Sequence, residues 1–151
     1  MASKFNPVIR RARAVAGDVT PQTMHVIATD LRNSVRSRIQ RGQDVRDLPA
    51  PPLNPKYAAR KEKRGKKGIR DWDKTGRTLR SMQVLSAGPN KAEIGFDDSA
   101  PRGPKQSPPS VVAAANNKRS QQFGTSPKDM QVAENSFRSH TEPLKIVTSA
   151  A

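Results

Sequence analysis

The chain contains no cysteine. That excludes a disulfide scaffold, cysteine-ligated zinc and a cysteine nucleophile. Aromatic residues make up only 4 %, with a single Trp and a single Tyr. Acidic residues are outnumbered by basic ones, 13 against 28, leaving a net charge of +15. Leu, Ile, Val and Phe together number 27 of the 151 residues. A share below about 20 % with high net charge marks chains that bury little apolar surface. A core on the scale of a typical enzyme is therefore not expected: either much of the chain is disordered, or it buries surface against neighbouring subunits. No apolar run approaches the roughly 18 residues that a membrane-spanning helix needs. The first residues, MASKFNPVIRRARAVAG, lack an apolar stretch of signal-peptide length, and Pro7 leaves little room for the amphipathic helix of a transit peptide. The expectation is a chain that stays in the compartment where it is made.

The length fits one domain, residues 1–151. Thr20-Pro21 reads as a helix start, because the hydroxyl caps free N–H groups and proline needs no partner at the first position. Met24, Ile27, Leu31, Val35 and Ile39 recur at three- and four-residue steps, with Asp30, Arg32, Arg36 and Arg38 mostly off that stripe. This predicts a helix over about 21–41, ended by Gly42. Residues 78–96 predict a β-hairpin. Met82 and Val84 alternate with polar residues, Gly88-Pro89-Asn90 supplies the turn, and Ala92, Ile94 and Phe96 share one face. Residues 111–122 predict a short helix stopped by Gly124. Ser126-Pro127-Lys128-Asp129 opens a C-terminal helix over about 127–141, with Met130, Ala133, Phe137 and Leu144 as its stripe. The remainder reads as an N-terminal arm (1–17), an extended basic loop (43–74) and a Pro-rich loop (97–110), all expected to order against neighbours. The fold class is thus α+β, a small antiparallel sheet packed by two helices.

Signatures of catalysis are missing. No GxSxG, GxxxxGK[ST] or GxGxxG occurs, and Arg64-Gly65-Lys66-Lys67-Gly68 resembles a phosphate loop in composition alone. His25 and His140 are far apart and belong to no metal-ligand spacing, so each reads as an ordinary helix residue. Asp71, Asp73, Asp97 and Asp98 are of the type that two-metal phosphoryl chemistry uses. Amid so many cations they read first as salt-bridge partners. No enzyme, metal or cofactor is expected.

The charge is concentrated instead. Residues 51–80 hold 11 basic and 3 acidic residues, more than half of the net +15. Lys56, Arg60, Lys61, Lys63, Arg64, Lys66, Lys67 and Arg70 form the densest part, which is the electrostatic footprint of a polyanion site or a solvated loop. Tyr57 and Trp72 are too few for a base-stacking platform.

The order of features over residues 48–140 resembles a known pattern. Pro52-Leu53-Asn54-Pro55-Lys56-Tyr57, a Lys/Arg/Gly stretch, and then Thr75-Gly76-Arg77-Thr78-Leu79-Arg80-Ser81-Met82 resemble the PLSP…Y…K…G…TGxLxxS signature of tail-completion and head–tail joining proteins of tailed bacteriophages, the virion-morphogenesis family. Glu93-Ile94-Gly95-Phe96 resembles that family's hairpin ending. Arg119 to Ser126, RSQQFGTS, resembles the turn before its last helix. The resemblance implies a structural virion protein without enzymatic activity, forming a ring of about six or twelve copies in the phage neck. Adaptor and tail proteins would be its neighbours, and it would lie in the host cytoplasm before assembly. It implies that Thr75, Gly76 and Leu79 set the entry to the first strand, and that Phe123 and Gly124 set the turn before the last helix. The basic stretch would face either genomic DNA in the lumen or an acidic partner ring. A small basic nucleic-acid-binding protein is the alternative, and a nuclease using the four aspartates a distant third.

Overall fold

Thr20 and Pro21 start a helix as their chemistry dictates. In the computed structural model, which describes residues 19–73, 76–89, 91–99 and 103–141, the Thr20 hydroxyl accepts from the Thr23 N–H at 3.1 Å. The helix, α1 (Pro21–Gln40), has Pro21 in its first turn. It ends where only glycine is comfortable: Gly42 takes a φ of +72°, while its N–H donates to Ile39 O and that of Gln43 to Arg38 O. These two bonds satisfy carbonyls that the last turn leaves open. Met24, Ile27, Ala28, Leu31, Val35 and Ile39 are buried along one stripe.

The elements that follow are α2 (Pro55–Glu62), α3 (Arg77–Arg80), β1 (Met82–Ala87), β2 (Ala92–Phe96), α4 (Pro109–Ser120) and α5 (Pro127–Thr141). The architecture is α+β. β1 and β2 form a two-stranded antiparallel sheet, and α1 packs on both strands and on α5. A single apolar cluster joins the α1 stripe to Leu79, Met82, Ala92, Ile94, Ala113, Phe123 and Ala133. Within the sheet the pairing skips Leu85: Val84 faces Ile94, but Ser86 faces Glu93. The extra residue is a bulge, and it shifts the alternation by one. Ala87 therefore joins Met82 and Val84 on the core side, and Leu85 is left 45 % exposed over Gly95.

Three expectations need correction. The extended loop over 43–74 is interrupted by α2, because Asn54 Oδ1 caps the Lys56 N–H at 3.0 Å and Pro55 occupies the first turn. Prolines block a helix interior but favour its start. The hairpin begins at Met82 rather than 78, since residues 77–80 form the single turn α3. Its N-cap, Gly76, has φ +69°, and a Cβ there would lie 2.5 Å from Arg80 Nη1. The helix expected over 111–122 runs over Pro109–Ser120 and is closed by Gln121, itself left-handed at φ +46°, ahead of Gly124. The arm 1–17 and Leu144 lie outside the described residues, as do Ala100, Pro101 and Arg102 of the Pro-rich loop.

α1 and α5 run antiparallel, as two polar ties show. Ser136 donates to Asp30 at 2.6 Å near one end, and Arg38 meets Asp129 at 2.8 Å near the other. Arg38 is fully buried, contrary to its expected place off the stripe. It stands three residues after Val35 and seven after Leu31, which puts it on the apolar face. Its Nε donates to Asp129, Nη1 to Gln122 O at 2.9 Å and Gln43 O at 3.3 Å, and Nη2 to Gly124 O at 2.7 Å. Asp129 also accepts from Ser34 at 2.6 Å and from the Ser126 N–H at 3.0 Å. Ser126 Oγ accepts from the Asp129 N–H at 3.1 Å, closing a capping box at the start of α5.

After α1 the chain reverses tightly about Asp44, which is 2 % exposed. Its carboxylate accepts from the Arg46 and Leu48 N–H groups at 2.8 and 3.2 Å and from Arg46 Nη2 at 2.6 Å. Burial acts to raise the Asp44 pKa, but the side-chain and backbone bonds from Arg46, with that from Leu48, outweigh it and hold the carboxyl below its ordinary 3.8. The folded group thus titrates below the unfolded one. Its stabilisation is complete above the unfolded value and is lost as pH falls through the folded value. Asp44→Asn is expected to lower stability near neutral pH by about 1–2 kcal/mol. In urea denaturation the gap between the two proteins should narrow as pH drops below 3.8; a gap that persists undiminished into acid contradicts the assignment.

Candidate functional site

The eight cations of the basic window do different things. Lys61 is only 6 % exposed, and its Nζ lies 2.5 Å from Asp71 Oδ1 and 2.9 Å from Ile69 O. It is turned inward and does not form part of the solvent-facing surface. Lys66 pairs with Asp73 at 2.8 Å. Arg70 donates to the carbonyls of Pro51 at 2.9 Å and Pro52 at 3.1 Å, bracketing the segment that leads into α2. These ties lie within one chain and brace α2 without a neighbour. Lys56, Arg60, Lys63, Arg64 and Lys67 are exposed. Lys56, Arg60 and Lys63 follow at steps of four and three and therefore share a face. Tyr57 is half-buried and Lys61 buried, so the other side of α2 is the one turned to the body.

Two of the segments that carry the family resemblance, the hairpin end and the turn before α5, meet at an aromatic joint. Trp72, Phe96 and Phe123 pack against one another at tilted angles, with ring centroids 6.4 Å apart for Trp72–Phe96, 6.5 Å for Trp72–Phe123 and 5.0 Å for Phe96–Phe123. Trp72 has φ +58°, a conformation costly for a bulky side chain. What holds it there is polar as well as apolar: its indole N–H donates to Gln122 Oε1 at 2.9 Å. Gln122 is fully buried and donates in turn to Arg70 O at 2.5 Å. Gly124 offers its carbonyl to Arg38. Leu79 is 3 % exposed in the same apolar cluster as Phe123. Pro52 is exposed, Leu53 and Tyr57 are half-buried, and Thr75 lies outside the described residues.

The aspartates do not assemble. Asp71 and Asp73 face lysines, Asp97 accepts from Ser99, and Asp98 accepts from the Ser110 hydroxyl and N–H. The Ser99 hydroxyl, helped by the Ser99 N–H and opposed by slight desolvation, holds the Asp97 carboxyl below its ordinary value. Among the described residues no group of three or more His, Asp or Glu is placed to hold a metal ion. His25 is exposed on α1, and His140 Nδ1 lies 2.7 Å from Ser136 O on α5. Among the described residues no helix is long and apolar enough to cross a membrane. Comparison with family models, with curated protein sequences and with solved structures returns no match for this chain.

The buried roles of three residues that organise the site are not read from the sequence. Arg38 had a signal, its register on the α1 stripe. Asp129 had one in the Ser-x-x-Asp spacing of a capping box, although the spacing gives no hint of the buried arginine it also meets. Gln122 had none. The division within the basic window gives a direct prediction. Lys61→Met leaves Asp71 buried without its cation and should cost about 3 kcal/mol. Arg64→Gln, on the exposed side, should stay within about 0.5 kcal/mol of the parent. Denaturant midpoints separate the two; equal effects would show that Lys61 is not the anchor.

Proposed function

We propose that this chain is a structural subunit of a tailed-phage virion, closing into a ring at the head–tail junction as a tail-completion or connector protein. The reading assigns it no catalytic step. The observation that supports it best is the convergence of the resembling segments. Phe96 at the end of the hairpin and Phe123 in the turn before α5 lie in two of those segments, far apart in sequence yet with ring centroids 5.0 Å apart, and Trp72, outside the resembling motifs, packs beside both. A signature spread over the chain makes physical sense if its parts build a single structural unit.

Two further features suit a ring subunit. A closed ring requires two different surface patches on each copy. The sheet has only two strands, so each strand has an outer edge left unpaired within the described residues, and such edges readily accept a neighbouring chain. Leu48, Leu85 and Val111 are large apolar side chains about half exposed, on three different segments. Neck adaptor and tail proteins would be its neighbours, and the host cytoplasm its location before assembly.

Sedimentation velocity and negative-stain microscopy of the purified chain test the reading. A cyclic oligomer of about six or twelve copies is expected. A protein that stays monomeric at every concentration while binding duplex DNA tightly would replace this reading with that of a small basic nucleic-acid-binding protein.

A further inference from the structure

The fold commits some cations of the basic window and leaves others free. Lys61, Lys66 and Arg70 are held by Asp71, Asp73 and the carbonyls of Pro51 and Pro52. The side chains of Lys56, Arg60, Lys63, Arg64 and Lys67 are exposed and make no hydrogen bond or ion pair with the described residues. They form a ridge along α2 and the turn after it, with Glu62 the one acidic residue between positions 56 and 70. The ridge is braced from beneath, because Lys61 fixes the end of α2 to the 69–71 segment.

We propose that this ridge binds duplex nucleic acid through its phosphate backbone. Each lysine or arginine that meets a phosphate releases condensed counterions, and that release drives association. A protein partner fits the ridge less well. The centres of protein interfaces are rich in aromatic and apolar anchors and poor in lysine. The exposed large apolar side chains nearest the ridge, Leu48 at 52 % and Ile69 at 38 %, flank it rather than lie among its cations, and Ile69 lies over Gly42. A single strand fits less well too, because binding it relies on aromatic platforms for the bases. Tyr57 is half-buried, and Trp72 is 8 % exposed with its indole N–H committed to Gln122. Residues 55–67 contain no Asn or Gln to read adenine edges, and the glycines at 65 and 68 add no base contact. The inference stands on this surface alone and holds for a monomer as for a ring, so it does not fall with the virion reading.

The test is fluorescence anisotropy of the full chain with a labelled duplex of mixed sequence, titrated across salt. Five phosphate contacts give a log–log salt slope near −4.5, so affinity should fall roughly 500-fold between about 50 and 200 mM salt. The variant Lys56→Gln/Arg60→Gln/Lys63→Gln/Arg64→Gln/Lys67→Gln should lose most of that slope while keeping the parent's circular dichroism. The smaller variant Lys63→Gln/Arg64→Gln/Lys67→Gln leaves the body of α2 untouched and should reduce the slope by about 2.7. A control of equal type elsewhere, Lys91→Gln/Lys105→Gln/Lys128→Gln, should leave the slope close to that of the parent. Equal losses in the control and the three-residue variant would overturn the proposal in favour of diffuse net charge. Polyglutamate competing as well as duplex would overturn it in favour of an acidic protein partner, and tighter binding of a single strand would overturn the duplex assignment.

Discussion

The buried ion pair between Arg38 and Asp129 is the joint on which the rest of the chain is hung. A guanidinium taken fully out of water is costly unless each of its nitrogens finds an acceptor. Here Asp129 takes Nε, and the carbonyls of Gln122, Gly124 and Gln43 take the other two nitrogens. Those acceptors come from the reversal after α1, the turn before α5 and the first turn of α5 itself. Satisfying one side chain therefore fixes three segments at once. The path continues outward through Gln122, whose side chain holds Trp72 and the carbonyl of Arg70. Arg70 then reaches Pro51 and Pro52 at the entrance to α2. A continuous set of hydrogen bonds runs from the centre of the molecule to the base of its most basic surface.

This arrangement accounts for the shortage of apolar residues. The apolar cluster is real but small, and several of its neighbours are polar groups buried with their partners, Asp44, Lys61, Asp71, Ser126 and Ser136 among them. Among the described residues no buried side-chain nitrogen or oxygen lacks a hydrogen bond. Such networks specify one geometry sharply, because an unmet partner in a low-dielectric interior is expensive. The net charge is likewise divided. Part of it is structural and neutralised inside the fold, and part is left on the surface.

What the sequence made legible follows from local physics. α1 and α5 were readable because caps, first-turn prolines and three- and four-residue stripes all act within a few residues. The strand faces were readable from alternation, up to the Leu85 bulge, which alternation alone does not reveal. The helical turn that Tyr57 to Lys67 suggests is α2, which starts earlier, at Pro55, because proline fits the first turn after the Asn54 cap. The buried roles of Arg38 and Lys61 were missed. A charged residue on a helix is expected in solvent, and its acceptors, Asp129 at a separation of 91 residues and Asp71 at 10, meet it only once the chain is folded. The resembling motifs could be read as an order of segments, whereas the Phe96–Phe123 contact that joins two of them is tertiary.

A double-mutant cycle on Arg38→Met and Asp129→Asn, read by urea denaturation at neutral pH, tests the central claim most directly. If the pair is the joint, each single change strands a buried partner, and the double variant is more stable than the sum of the two losses by about 2 kcal/mol or more. Additivity to within about 0.5 kcal/mol would mean that the two residues act independently, and the account built on their contact would be wrong.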